Sequence, residues 1–123
     1  MKILSVDDSA VVRKIIKSAI GVLGYDFIEA EDGKEALLLL ETEYNDIGLI
    51  LLDWNMPGLD GYEVLRILKE NERYKDIPVM MVTTESEKSN IVSAIRAGAI
   101  NYLTKPFSNE DLLAKIMECM GDA

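Results

Sequence analysis

Histidine is absent from the 123 residues, cysteine occurs once, proline three times and tryptophan once. Without histidine the chain holds no histidine metal ligand, no histidine general base and no histidine phosphocarrier of its own. A single cysteine, Cys119, excludes an internal disulfide or a cysteine metal cluster. Placed among apolar residues at helical spacing, it reads as a small core or near-surface side chain. Positive charge is also scarce: 13 Lys and Arg stand against 22 Asp and Glu, a formal net charge of -9. With no basic run, nonspecific binding to nucleic acid or to an anionic membrane is disfavoured, and a DNA-directed role would need a partner. Long apolar runs are missing too. The stretches from Ala36 to Leu40 and from Ile47 to Leu52 are far too short to cross a bilayer. The N-terminus starts inside a strand-like pattern and leaves no room for a signal peptide, so a cytoplasmic location is expected.

What the chain does contain is apolar residues, 49% of the total, enough for a globular core and too many for disorder. The length suits one domain spanning residues 1–123 without an output domain. No linker, low-complexity segment or internal repeat interrupts it. Strand and helix signals alternate throughout, the mark of an α/β fold with a parallel sheet. The first strand is predicted at Lys2 to Val6. A helix follows with Ser9 as cap, Val11, Val12, Ile15, Ile16, Ala19, Ile20 and Leu23 on one face, and Gly24 as its stop. A weaker strand near Phe27 to Ala30 precedes a second helix, where Asp32 and Glu35 form a capping-box-like start. The third strand runs into Asp53. The third helix is predicted from Asp60, with Glu63 in a second such pattern and Val64, Leu65, Ile67 and Leu68 as core candidates. Pro78 opens the fourth strand, the fourth helix runs from about Glu87 to Ala97 with Gly98 as its stop, and the fifth strand leads to Lys105-Pro106. The last helix starts near Ser108. Its Leu112, Leu113, Ile116, Met117 and Met120 keep helical spacing, so these methionines belong to the core.

The chemistry gathers at the ends of those strands. Ile3 to Val6 runs into Asp7-Asp8, the apolar run Ile47 to Leu52 into Asp53, Val79 to Val82 into Thr83, and Asn101 to Thr104 into Lys105. In open parallel sheets ligands bind beyond the carboxyl ends of the strands. Three carboxylates meeting there repel one another and raise each other's proton affinity. A divalent cation removes the difficulty, and oxygen ligands without histidine or cysteine favour Mg²⁺ or Mn²⁺ over zinc. Mg²⁺ usually takes only one or two protein carboxylates, which leaves one free to react. A carboxylate attacking a phosphoryl group gives an acyl phosphate. The metal and Lys105 would offset charge on the phosphoryl oxygens, and Thr83 would donate a hydrogen bond to them. Taken singly, Asp7-Asp8 suits a turn or helix cap, Thr83-Thr84 a strand entering a loop, and Lys105 a solvated lysine. Their joint occurrence at successive strand ends favours a common site.

These residues resemble the receiver domain of two-component response regulators, and most closely the free-standing CheY-type members of chemotaxis systems. The resemblance covers essentially the whole chain and rests on Val6-Asp7-Asp8-Ser9, Asp53-Trp54-Asn55-Met56-Pro57-Gly58, Val82-Thr83-Thr84 and Tyr102-Leu103-Thr104-Lys105-Pro106-Phe107 in order. It implies a doubly wound (βα)5 fold, a five-stranded parallel sheet in the order 2-1-3-4-5 with helices on both faces. CheY is itself a standard example of that order. Asp53 would be the phosphoacceptor, receiving its phosphoryl group in trans from a CheA-like histidine kinase. Asp8 would bind Mg²⁺ directly, Asp7 largely through water, with Asp53 and the backbone carbonyl of Asn55 completing the ligands. Thr83 and Lys105 would contact the phosphoryl oxygens, and the Lys105-Pro106 peptide would be cis.

The resemblance also implies a switch. Thr83 would move toward the phosphoryl group and Tyr102 would turn inward, changing the face formed by the fourth helix, fifth strand and fifth helix. Ile91, Ile95, Tyr102 and Lys115 are its candidate contacts. The target would be a protein such as a flagellar motor switch component, although Glu87 and Glu118 stand where the best-known motor binders carry lysines. Asn55 and Glu85 would tune hydrolysis of the acyl phosphate, a separate phosphatase is a further partner, and a monomer that dimerises on phosphorylation fits the class. No enzymatic activity is implied beyond self-catalysed phosphotransfer and slow autodephosphorylation. Two alternatives compete: a receiver in a phosphorelay unrelated to motility, and a small Mg²⁺-dependent phosphohydrolase of the haloacid-dehalogenase type. The hydrolase needs a second aspartate two positions after its nucleophile. Asn55 stands there and cannot transfer the proton. A phosphorylation-independent adaptor is disfavoured by the intact acidic, Thr and Lys set.

Overall fold

The run Ile47 to Leu52 is a strand because apolar material covers both of its faces. Leu49 and Leu51 enter one apolar cluster, Ile50 and Leu52 the other, and all four are essentially inaccessible to solvent. Continuous hydrophobic strands of this kind belong to parallel sheets with helices on either side. The computed structural model describes residues 1–84 and 89–121. Its elements are β1 (Lys2–Val6), α1 (Ala10–Val22), β2 (Asp26–Ala30), α2 (Gly33–Glu43), a 3₁₀ turn (Tyr44–Asp46), β3 (Ile47–Asp53), α3 (Gly61–Glu70), β4 (Val79–Thr84), α4 (Ser89–Arg96), β5 (Asn101–Lys105) and α5 (Asn109–Met120). The sheet is parallel in the order β2-β1-β3-β4-β5, as expected. The chain order reverses direction at β1 and β3. Ligand clefts of such sheets open at that point.

On one face α1 and α5 supply Ile16, Ala19, Ile20, Leu112 and Ile116 to a core with Ile3, Met80, Val82 and Leu103. On the other, α2, α3 and α4 supply Ala36, Leu40, Val64, Leu65, Leu68 and Ala94 to a core with Leu4, Val6, Val79 and Met81. Each fully buried Val, Leu, Ile or Met side chain among these contributes about 1.5–3 kcal/mol. The three central strands therefore form the rigid part of the molecule. α4 is attached more lightly, with Ala94 its one buried residue.

The helix starts follow local chemistry. Ser9 Oγ accepts from Val12 N–H, Asp32 from Glu35 N–H and Ser108 Oγ from Asp111 N–H. At α3 the box is complete: Asp60 accepts from Glu63 N–H at 2.8 Å and Glu63 accepts from Asp60 N–H at 3.1 Å. Gly24 and Gly98, at φ 84° and 114°, follow α1 and α4 in left-handed geometry that a side chain resists. Three assignments from the apolar pattern are corrected. Val11 and Ile15 of α1 and Ile67 of α3 are 68%, 43% and 39% exposed, because each apolar stripe is wider than the strip of helix that the sheet covers. The expected start of α4 at Glu87 lies outside the described residues; the described helix begins at Ser89. No described helix is long and apolar enough to cross a membrane.

Gly61 is required by proximity. A Cβ there would stand 2.2 Å from the carbonyl oxygen of Asp53 and 2.8 Å from Trp54 Cα. Gly21 on α1 has nothing within 4 Å. Gly61→Ala is therefore expected to destabilise the fold by about 1–3 kcal/mol or more. Gly21→Ala is expected to stabilise it by up to about 1 kcal/mol. Urea unfolding of both variants checks the pair, and equal effects would contradict the close approach.

Candidate functional site

The parallel register brings the predicted strand ends together. Val6 pairs with Leu52, Asp53 with Val82, and Thr83 and Thr84 with Thr104 and Lys105. Asp7, Asp53, Thr83 and Lys105 thus leave neighbouring strands at one level. Asp7 and Asp53 are 2% and 5% exposed, Thr83 is buried and Lys105 is half-buried. Lys105 Nζ donates to Asp7 Oδ2 at 3.0 Å and to Asp53 Oδ1 at 3.2 Å, bridging two buried carboxylates. The Lys105-Pro106 peptide that follows is cis.

Asp7 and Asp8 are adjacent in sequence but differ in their surroundings. Asp7 uses both oxygens: Oδ1 accepts Ser9 N–H at 2.9 Å and Oδ2 accepts Lys105. Asp8 is exposed and, among the described residues, forms no hydrogen bond or ion pair. One carboxylate oxygen each from Asp7, Asp8 and Asp53 lies within 4.8 Å of the others. An all-oxygen set of this spacing suits a hard divalent cation. Asn55 is exposed on the loop after β3.

Asp53 carries the electrostatic cost of the arrangement. Its burial, then the charge of Asp7, push its pKa up from 3.8 to about 7, although Lys105 pulls the other way. Burial by itself would lower the pKa of Lys105, but its bonds to and attraction by Asp7 and Asp53 outweigh that and raise it.

The switch candidates lie one strand further out. Tyr102 on β5 is turned outward, 37% exposed, with Lys115 Nζ 4.9 Å from its ring centroid. Lys115 also donates to Asn101 Oδ1 at 3.2 Å, and Asn101 donates to Glu118 at 2.9 Å. Ile91 is half-buried and Ile95 46% exposed. The expected roles of Glu85 and Glu87 fall on residues outside those described. Two contacts had no sequence signal. Arg13 donates to the backbone carbonyl of Asp7 and, at 2.6 Å, to Glu29, tying α1 and β2 to the acidic loop. Trp54 stacks on Tyr62 of α3 with centroids 5.4 Å apart. Both contacts arise from the packing of elements, which spacing along the chain does not reveal.

Fold and site together define a phosphoryl-receiving signalling domain of the response regulator class, and the comparisons agree. Residues 3–117 match the model of the response regulator receiver domain, and the chain belongs to that family. A chemotaxis protein CheY homolog of Campylobacter jejuni is 42% identical over 98% of this chain and 93% of its own length. The chemotaxis protein CheY1 of Helicobacter pylori is 40% identical over 98% of both chains. The structure of Vibrio cholerae chemotaxis protein CheY4 superposes with a TM-score of 0.87 at 32% identity, covering 96% of this chain and 97% of the other. The Francisella response regulator 1452 receiver domain gives 0.85 at 34% identity, covering 98% and 96%. This is a CheY-type receiver, and the haloacid-dehalogenase alternative is not favoured.

The raised proton affinity of Asp53 has a consequence for stability. Between about pH 4 and pH 7 the folded chain keeps a proton that the unfolded chain has lost, so this group makes stability fall as pH rises through that window. In EDTA at pH 7.5, Asp53→Asn is expected to be more stable than the parent by on the order of 1 kcal/mol, solvent at the cleft mouth screening the full effect. The difference should close toward pH 4. Denaturant unfolding at both pH values checks it, and a parent more stable than the variant at pH 7.5 would contradict the assignment.

Proposed function

We propose that Asp53 accepts a phosphoryl group from the phosphohistidine of a partner kinase and that the acyl phosphate switches a protein-binding face. The observation that carries the reading is the Lys105 ammonium bridging Asp7 and Asp53 beside Asp8. An Asp53 oxygen attacks phosphorus, the P–N bond to the kinase imidazole breaks, and its electron pair leaves with that nitrogen. Lys105 keeps a further N–H for a phosphoryl oxygen, and the Thr83 hydroxyl at the end of β4 donates to another. With no histidine in the chain, the donor acts in trans. Asp7, Asp8, Asp53 and the backbone carbonyl of Asn55 would hold Mg²⁺, with Mn²⁺ fitting the same oxygens. When bound, the ion neutralises charge on the carboxylates and on the phosphoryl oxygens. Asp8, free of other bonds, suits direct ligation, and Asp7, already shared between Ser9 and Lys105, suits ligation through water.

Val92, Ile95, Ile100 and Tyr102 leave apolar surface exposed around α4 and β5, which supports a protein target there. The relatives bear the name chemotaxis protein, which supports motility control as the output and a cytoplasmic setting. In the switch, Thr83 moves to the phosphoryl group and Tyr102 turns inward. Phosphotransfer and slow autodephosphorylation are then the only chemistry the chain performs.

Incubation with Mg²⁺ and a small acyl phosphate is expected to place a base-labile, acid-stable phosphoryl group on Asp53. An Asp53→Asn variant that still acquires it would refute the assignment. Multiple turnover of ordinary phosphomonoesters would restore the hydrolase. Mg²⁺ should raise the stability of the parent as RT ln(1 + [Mg²⁺]/Kd) and that of the variant far less. Substitution of Asn55 or Glu85 is expected to change the decay rate of the phosphorylated protein several-fold. Decay at the parent rate in both variants would remove their tuning role.

A further inference from the structure

Acidic side chains outnumber basic ones 22 to 13 in the chain, yet the cleft between α3 and α4 reverses that balance. Arg66, Lys69 and Arg96 line it against a single carboxylate, Glu70, with Tyr62 and Ser93 completing the polar wall around about 490 Å³. That volume lies within the range of about 300–1,000 Å³ typical of small-molecule sites. Cations gathered on a concave wall concentrate positive potential far more than the same charges on a convex surface.

The two arginines are only lightly engaged. Arg66 meets Glu70 at 3.5 Å with both side chains largely exposed, a pair that solvent screens. Arg96 forms no hydrogen bond or ion pair among the described residues, and Lys69, although attracted by the charge of Asp76, forms no ion pair among them. The Lys69 ammonium rests on the carbonyls of Lys75 and Ile77 at 3.0 and 2.8 Å and keeps a donor to spare. Two guanidinium forks match phosphate oxygens in bidentate fashion, and Ser93 adds a hydroxyl donor.

A structural relay leads from this cleft to the loop of Asp53. The Arg66 guanidinium lies 6.0 Å from the Tyr62 ring centroid, and Tyr62 stacks on Trp54. Gly61 N–H donates to the Trp54 carbonyl at 2.8 Å. An anion that draws on Arg66 therefore alters the surroundings of Tyr62 and of the only tryptophan.

We propose that the α3–α4 cleft is a binding site for a small di- or triphosphate, held by Arg66, Lys69 and Arg96 and sensed at Trp54. The site is separate from the acidic cleft and does not depend on phosphorylation of Asp53. Inorganic pyrophosphate serves as the probe, titrated at constant ionic strength in EDTA so that no divalent cation draws it to the carboxylates. Trp54 fluorescence is expected to change saturably, with amide shifts concentrated in α3 and α4. The half-saturation concentration should rise at least tenfold in the double variant Arg66→Gln, Arg96→Gln, whose exposed positions leave the core untouched. An unchanged affinity in that variant, shifts centred on Asp7, Asp53 and Lys105, or no saturable response at millimolar pyrophosphate would overturn the proposal. A response to a polyglutamate peptide but not to pyrophosphate would overturn it in favour of an acidic protein partner.

Discussion

The mutual repulsion of carboxylates held at one end of a buried sheet governs much of this molecule. Asp7 and Asp53 are both nearly inaccessible and, with Asp8, bring oxygens within 4.8 Å of one another. Left alone, such a set would protonate or loosen the strands that carry it. Lys105 answers part of the difficulty by bridging two of the three, and Ser9 N–H and the Arg13 guanidinium fix the loop that carries Asp7. The answer is incomplete, since Asp53 still titrates near neutrality. A folded state that keeps one carboxylate short of full compensation is suited to receive positive charge from outside.

The cores on either side of the sheet make that compromise tolerable. With β1, β3 and β4 sealed on both faces, their ends cannot drift apart to relieve the repulsion. The loop after β3 is equally constrained, because α3 approaches so closely that only glycine fits at position 61. Stiffness therefore lies where the acidic groups and Lys105 are held together, and looseness lies at the other edge. There α4 buries only Ala94, and apolar side chains of α4 and β5 face solvent. Conformational change costs least where the fewest apolar contacts are lost.

This division explains what was legible in the sequence. β3 and β4 announced themselves because burial on both faces leaves an unbroken apolar run, and the caps because Asp60–Glu63, Ser9 and Ser108 act within one turn of chain. The clustering of the candidate residues was legible because a parallel sheet places every strand's carboxyl end on one side. How far a helix face is covered was not. Val11, Ile15 and Ile67 sit at the margins of apolar stripes, and only the packed neighbour decides which margin stays dry. The bonds of Arg13 to the Asp7 loop and of Lys69 to Ile77 were silent for a related reason: each ends on a backbone carbonyl, and any residue supplies one.

The proposed link between site and face can be weighed energetically. β4 and β5 are paired so that Met81 faces Tyr102 and Thr83 faces Thr104. A shift of Thr83 toward Asp53 is thus felt within one strand spacing of the tyrosine. Against its inward turn stands the Lys115 ammonium over the Tyr102 ring, worth about 0.5–1 kcal/mol at an exposed position. In its favour is burial of aromatic surface now in contact with water. These two terms oppose one another, so the proposed inward turn depends on their difference. A ligand or modification shifts such an equilibrium only by its differential interaction with the two states. Hydrogen bonding of Thr83 to a phosphoryl oxygen, present in one state and absent in the other, supplies a difference of the required kind. In the proposed switch the outward Tyr102 is the starting position, biased from the acidic cleft rather than at the face itself.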